Sequence, residues 1–439
     1  MYMNKKYLPL IFPAVLIVTI FISVFIKICY HNNIDVKENK LVDTPAKFHY
    51  ILSKSNLLSN MTTPYSVLYG KDKTRQMYVF SVPIQEKINA KHSLMENKIV
   101  KNKNEFITTN KTFNISFNTN KINLKNSQDS FEILIDNIKT IQQNNDYTNI
   151  YDYKGKSIKY TDKDNNILFC FPTYNGLLME YNLNSSKQRI EFQLNLKEYE
   201  FLNDEAGYVQ LLKNSNEKIG IIYQGIITDK NNKFLINNKA EIVKRNNKFY
   251  LSYKLPQNIE YPIKFIINID FYSEKMFFDT SNYSTSPKTN FIFNNISFFD
   301  TQIEDAQEQT YVKFNLKSIT PKSAELLNTI SLNFYAIFSE GELDIEVFKV
   351  QDEWCSWTMN WNEQPDYYEK IGKISVNKSG WYSLDITEYA KELINNNYDQ
   401  MIDNSIVLIA KRKSKGRAIF ASADNSCAPP YFKIDYKVS

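Results

Sequence analysis

Between residues 62 and 285 the apolar positions come in short runs: "QMYVFSVPI", "NILFCF", "KIGIIYQGII", "KFYLSYKL" and "YPIKFIINIDFY". β-Branched and aromatic side chains dominate them, as expected of strands. Polar clusters such as "DKDNN", "DKNNK", "INNKAE" and "RNNK" separate the runs, and "SLNFYAIF" continues the series further on. With 10 glycines in 439 residues, the left-handed turn positions fall mostly to Asn and Asp, which tolerate that region better than other side chains. Such spacing predicts antiparallel sandwiches and not βαβ units. The stretch "FEILIDNIKTIQQ" (131–143) fits a strand through Phe131, Ile133 and Ile135, and a helix through Phe131, Leu134, Ile135 and Ile138. Its strand neighbours favour the first reading. A helix is clearer in "LDITEYAKELINNN", where Ile386, Tyr389, Ala390, Leu393 and Ile394 recur at helical spacing. Asp385 caps it, Glu388 can reach back as in a capping box, and the Asn run ends it.

A different pattern occupies the start of the chain. Residues 8–26, "LPLIFPAVLIVTIFISVFI", are uncharged and mostly apolar; as a helix they span roughly 29 Å, close to the hydrocarbon thickness of a bilayer. The segment runs into "KICYHNN", which offers no small-x-small cleavage site, and Lys5 and Lys6 precede it. The expectation is a signal-anchor helix with a cytoplasmic tip over residues 1–28, in a single-pass cell-membrane protein whose C-terminal region is extracellular. Residues 29–61 are patternless and suit a juxtamembrane linker. The expected fold class is all-β: the N-terminal transmembrane helix, a β-rich, sandwich-like middle region over 62–285, and a further β domain over 290–439 carrying the one short helix.

Three of the four tryptophans lie within "DEWCSWTMNWNEQP" (352–365), and Trp381 follows shortly. On an extended chain Trp357, Met359 and Trp361 share one face while Trp354, Thr358 and Asn362 share the other. The order of segments here resembles the DNRLRE domain, also classed as carbohydrate-binding module family 96. "TYVKFNLKSITP" resembles its strand before a small-residue turn, and "LDIEVFKV" its next long strand. Trp354, Thr358, Trp361, Asn362 and Pro365 carry the Trp-x-x-x-Thr-x-x-Trp-Asn-x-x-Pro pattern. "GWYSLDITEYAKELI" and "AIFASADNSCAPPYFKIDY" resemble the helix-bearing segment and the closing strands. The sequence departs from the family at Ser356, where an acidic residue is common, and in the opening "FIFNNISFFDTQIEDAQEQ", which lacks a Gly-rich phrase. The resemblance implies a jelly-roll-like β-sandwich on a secreted or wall-associated bacterial protein, with polysaccharide as its ligand class. It also implies core roles for Trp354 and Trp361, leaving Trp357 and Trp381 as candidates for a sugar-stacking face.

Charge and chemistry narrow the function. The formal net charge of +5 comes from interspersed Lys and Asp/Glu, so no nucleic-acid partner is expected. The three histidines, His31, His49 and His92, all lie in the first quarter of the chain. The rest of the chain therefore offers no imidazole base or His metal ligand, and neither cofactor nor metal is expected. "TDKDNN" (161–166) alternates Asp162, Asp164 and Asn166 as a calcium loop does, yet lacks the glycine turn and distal Glu, so a hairpin is expected. "KRKSKGR" gathers Lys411, Arg412, Lys413, Lys415 and Arg417 between two strands. It suits either a solvated hairpin tip or a grip on an anionic cell-wall polymer. Cys355 and Cys427 could bridge, while Cys170 suits a buried free thiol. Two functions are compatible with these features: a non-catalytic, membrane-anchored surface protein whose C-terminal domain binds polysaccharide or wall polymer or serves as a structural module, and an exported polysaccharide lyase or hydrolase. The absence of a catalytic signature favours the first.

Overall fold

A computed structural model describes residues 66–438 apart from short stretches that include 149–153, 272–276, 284–287, 301–307, 355–358, 398–403 and 411–415. Before residue 66 it describes only the two-residue strands Glu38–Asn39 and Leu41–Val42. The membrane segment 8–26 lies outside the described residues. Among the described residues no helix is long and apolar enough to cross a membrane.

Four antiparallel sheets hold most of the chain. Sheet I runs, in spatial order, from Ala240–Arg245 through Lys248–Lys254, Arg189–Asn195, Ser130–Leu134, Lys121–Asn126, Phe113–Phe117 and Glu105–Thr108 to Ile99–Asn102. Sheet II begins with Ile138–Thr148 and Lys154–Asp162 and centres on Gly176–Leu183 beside Ile263–Phe271. Sheet III places Gly380–Asp385, Leu327–Glu340, Tyr431–Lys437, Thr74–Phe80 and Ser66–Lys71 side by side, with Arg417–Ala421 and Ile296–Asp300 off that path. Sheet IV contains Tyr367–Val376, Leu343–Val350, Asn404–Ala410, Glu308–Phe314 and Phe277–Tyr283. The strand Glu38–Asn39 adds to sheet IV in parallel, and Leu41–Val42 adds to sheet III.

Alternation along the strands shows how the sheets stack. In Ile167–Pro172, Leu168 and Cys170 enter the core shared by sheets I and II, while Phe169 and Phe171 enter a second core. In Leu327–Glu340, Leu332, Phe334 and Ala336 enter the core between sheets III and IV, while Tyr335 and Ile337 meet Phe169 and Phe171 in the second one. Sheets II and III are thus apolar on both faces, as strands buried on both sides must be. The molecule is a stack of two sandwiches joined through a shared apolar seam of Phe169, Phe171, Leu178, Ile226, Ile266, Tyr335 and Trp381, among others. The hairpin Ser66–Phe80 falls in the 62–285 stretch but pairs with the last strand, Tyr431–Lys437, so it is part of the C-terminal sandwich.

Local chemistry follows the residue types. Of the six non-glycine residues at positive φ among the described residues, five are asparagines, and Asn246 and Asn247 together turn the chain between two strands of sheet I. The 131–143 stretch forms strands, Ser130–Leu134 in sheet I and the start of Ile138–Thr148 in sheet II. The α-helix spans Thr387–Asn397, with the Asp385 carboxylate accepting the Thr387 N–H at 2.9 Å. Glu388 pairs with Lys391 at 3.3 Å. Under this helix Lys349, 3 % exposed in its side chain, is held by Glu369 at 2.8 Å and Glu392 at 2.7 Å. Burial disfavours its charge, but the two carboxylates outweigh that and raise its pKa. Cys170 is a buried free thiol, whereas Cys355 and Cys427 lie outside the described residues.

Candidate carbohydrate-binding site

The tryptophans sort by what covers them. Trp381, expected as a stacking platform, is 2 % exposed in the seam between the sandwiches. Its ring lies 5.3 Å from that of Tyr335 and 5.1 Å from that of Tyr431. No sugar can reach it, because sheet II packs over the sheet III face from which it projects. Trp354 is buried as expected, on the opposite side of the domain, against Tyr311, Met359 and Val407 on the outer face of sheet IV. Its indole Nε1–H donates to Ser405 Oγ at 2.9 Å, and the Lys313 ammonium lies 6.0 Å from its ring centre. Trp361, expected in the core, opens the 3-10 turn Trp361–Glu363, in which no residue is buried. The Asn360 side chain caps that turn by accepting the Asn362 N–H, which holds Trp361 at the rim. Trp357 lies outside the described residues.

The basic loop divides similarly. Lys411, Arg412, Lys413 and Lys415 lie outside the described residues. Arg417 is half-buried at the start of a sheet III strand, with its guanidinium 5.0 Å from the Phe338 ring centre and 3.6 Å from Glu340. Its guanidinium thus has intramolecular neighbours in sheet III. Gly416 packs so closely on the turn at Glu342 that a Cβ would stand 2.5 Å from the Glu342 carbonyl carbon. The loop therefore returns at a fixed point, beside the junction of sheets III and IV.

Sequence reasoning passed over two features. Tyr367 and Tyr368 begin a strand of sheet IV and are 41 % and 43 % exposed. The Tyr367 ring lies 5.1 Å from Phe348, at the margin of the cluster that buries Trp354. A Tyr-Tyr pair at a strand start reads as ordinary β composition, so nothing in the sequence set it apart. The second feature is a cavity of about 300 Å³ at the end of the middle sandwich, reached by Tyr160, Asp162, Tyr181 and Arg189. The only sequence signal near it was "TDKDNN", which forms the expected hairpin. Asp162 there accepts from the Asp164 and Asn166 N–H groups at 2.9 and 2.8 Å, from Asn166 Nδ2 at 2.9 Å and from Tyr181 Oη at 2.9 Å. Burial alone would raise its pKa, but these hydrogen bonds prevail and hold it below the ordinary value. Among the described residues no cluster of His, Cys, Asp or Glu could hold a metal.

The model of carbohydrate-binding module family 96 matches residues 278–436, the C-terminal part of the chain. No curated protein matches the chain. Among solved structures the chain is similar to the GH31 alpha-xylosidase of Xanthomonas citri, at 8 % identity and a TM-score of 0.11, over 88 % of this chain and 38 % of that one. It is also similar to the N-terminal CBM22-1-CBM22-2 tandem domain of Paenibacillus barcinonensis Xyn10C, at 12 % identity and TM-score 0.15, over 70 % of this chain and 93 % of that one. A third is the N-terminal domain of the Streptococcus gordonii adhesin Sgo0707, at 9 % identity and TM-score 0.17, over 87 % and 93 % of the two chains. This chain thus spans well under half the xylosidase's length, and likenesses this weak carry nothing over to it.

Proposed function

We propose that this is a non-catalytic surface protein, held in the cell membrane by residues 8–26, that engages an extracellular polysaccharide or wall polymer through the rim of sheet IV. The observation that carries the reading is the family 96 match over 278–436, together with exposed Tyr367 and half-buried Trp361 on the side of the domain that, among the described residues, no other sheet covers. Aromatic rings present a flat apolar face to a pyranose, and neighbouring polar groups fix its orientation. Lys411, Arg412, Lys413 and Lys415 supply charge should the polymer be anionic. The strands at Glu38–Val42 join the edges of sheets III and IV. Twelve residues of chain from the end of the apolar segment reach at most about 40 Å, so the binding domain sits close to the bilayer.

Two measurements test this. Protease added to intact cells should remove the C-terminal domain, and a mature N-terminus near residue 30 would overturn the anchor. A binding screen against neutral and anionic polysaccharides, with the chain from residue 30 onward, should give a binder weakened by Tyr367→Ala. For an anionic ligand, binding should fall steeply with salt, since the Debye length shrinks from about 10 Å at 0.1 M to about 3 Å at 1 M. Arg412→Ser with Lys413→Ser should flatten that dependence. Binding that no change at Tyr367, Trp361 or the loop affects would overturn the sheet IV assignment.

A further inference from the structure

Sheet II ends in the strand Ile138–Thr148, and that end is open. Among the described residues its one strand partner is Lys154–Asp162. At 11 residues it is the longest of the strands that end the four sheets, and every residue from Ile138 to Asn145 is half-buried or exposed. Such an edge presents a row of N–H and C=O groups to any approaching strand, and proteins ordinarily cap it, shorten it or guard it with Lys or Pro. The edges of sheet I are managed in these ways. Asn203 caps one of them, accepting the Ile242 N–H at 2.8 Å and donating its Nδ2 to the Ile242 carbonyl at 3.1 Å. The other, Ile99–Asn102, is four residues long and includes Lys101.

The strand Ile138–Thr148 contains neither Pro nor Gly, and its charges are one Lys and one Asp. Register shifts between Ile138 and Thr140 and between Asn144 and Tyr147 bend its two ends and leave a regular run, Thr140–Asn144, against Thr161–Ser157. This run is self-complementary. Ile141 and Gln143 stand opposite Tyr160 and Ile158 of the core, so Thr140, Gln142 and Asn144 project from the other face. Among the described residues none of these three side chains has a hydrogen-bond partner. An antiparallel copy centred on Gln142 sets Gln142 against Gln142 and Thr140 against Asn144, groups that can bond as cross-strand pairs. It also brings Lys139 of each copy to the end at which the other carries Asp146, whereas parallel pairing sets Lys139 beside Lys139. Ile141, half-buried at the margin of the core between sheets I and II, would be covered by the added strand.

We infer that Thr140–Asn144 is a homodimer joint. Two copies of this chain pair edge to edge, antiparallel about a two-fold axis at Gln142, so that sheet II continues from one molecule into the next. A second copy supplies the reversed order of polar groups and charges by symmetry alone, as an isologous contact requires. Five residues from each strand make a small contact, so the dimer is reversible and depends on concentration. The joint uses no residue of sheet IV and does not rest on polysaccharide binding there.

The test uses the full chain in detergent micelles, with the unaltered chain and its four cysteines as background for oxidation. Gln142→Cys falls on the axis, where facing Cα atoms stand about 4.5–5.5 Å apart, a separation that a disulfide spans. A covalent dimer should therefore form. Lys139→Cys should give none above background, because its two copies lie about 20 Å apart along the joint at about 3.3 Å per residue. Without oxidation, sedimentation of the unaltered chain should show monomer and dimer in equilibrium. Gln142→Lys, which faces a charge with its own copy, should weaken the dimer roughly tenfold or more. Lys139→Asp should weaken it less, and Lys139→Asp combined with Asp146→Lys should restore it. The inference is overturned if the unaltered chain stays monomeric at every concentration, or if Gln142→Cys cross-links no more than background. It is equally overturned if Lys139→Cys cross-links as well as Gln142→Cys, or if Gln142→Lys leaves the dimer unchanged, since another surface then holds the copies together.

Discussion

The two outer faces of the C-terminal sandwich have opposite fates. The face of sheet III, with Tyr335, Trp381, Ile419 and Tyr431, is sealed by another sandwich. Among the described residues the face of sheet IV is covered by Trp354 and Met359, and Tyr367 is left exposed at the margin. Both faces carry aromatic residues of the kind that recruit sugars. An aromatic residue on a strand therefore announces that something apolar will cover it, without specifying whether that is a domain, a loop or a ligand. Only the identity of the neighbouring sheet separates the three outcomes.

The comparison can be broken most directly at Trp381. Replacing it by Ala should cost about 4–5 kcal/mol, since the hole would open in a seam that both sandwiches share and neither can close alone. Chemical denaturation should report this, with one transition splitting into two as the sandwiches uncouple. A small loss with one transition would mean that the seam is open and Trp381 is accessible after all. Trp354→Ala should cost less, about 3 kcal/mol, because its cluster is thin and the covering loop can settle into the space. Melting should shift without division into two steps. Ser405→Ala probes the same ring more finely. It leaves the indole N–H of Trp354 without its acceptor and should cost about 1 kcal/mol, readable as a blue or red displacement of tryptophan emission with a lowered melting point. Tyr367→Ala should change stability by no more than about 0.5 kcal/mol while reducing binding to polysaccharide. A large stability loss there would place Tyr367 in the core and move the ligand face elsewhere.

Much of the architecture was legible because it depends on local pattern. The β runs, the asparagine turns, the Asp385 cap and the strand character of 131–143 all follow from periodicity and turn chemistry, which act within a few residues. Burial of Trp354 followed from the resemblance. The fates of Trp361 and Trp381 were not legible, since each depends on what packs against a face from far along the chain. Trp361 is left half-buried in a capped turn, and Trp381 is sealed in the seam that Phe169 and Phe171 of another sandwich help to form. The cavity was hidden for the same reason: it arises where one strand stops pairing four residues before its partner ends, and no residue type marks that spot. Arg417 read as one of five equivalent cations, yet its position at a strand start, facing Phe338 and Glu340, makes it part of the scaffold.

The pairing of Thr74–Phe80 with Tyr431–Lys437 has a consequence for how the chain reaches this structure. Gln76 and Asp435, joined side chain to side chain at 2.7 Å, are 359 residues apart. During synthesis the early hairpin emerges with Val67, Tyr78 and Phe80 unburied, long before its partner strand exists. The middle sandwich can close in the meantime, since its strands fall between residues 99 and 271. The hairpin must then wait for the last strand to be released, a closure of high contact order that sets a slow final step. Folding of the binding domain is thereby tied to synthesis of the strand Tyr431–Lys437, and a product cut short before it would expose a long aromatic edge to other chains.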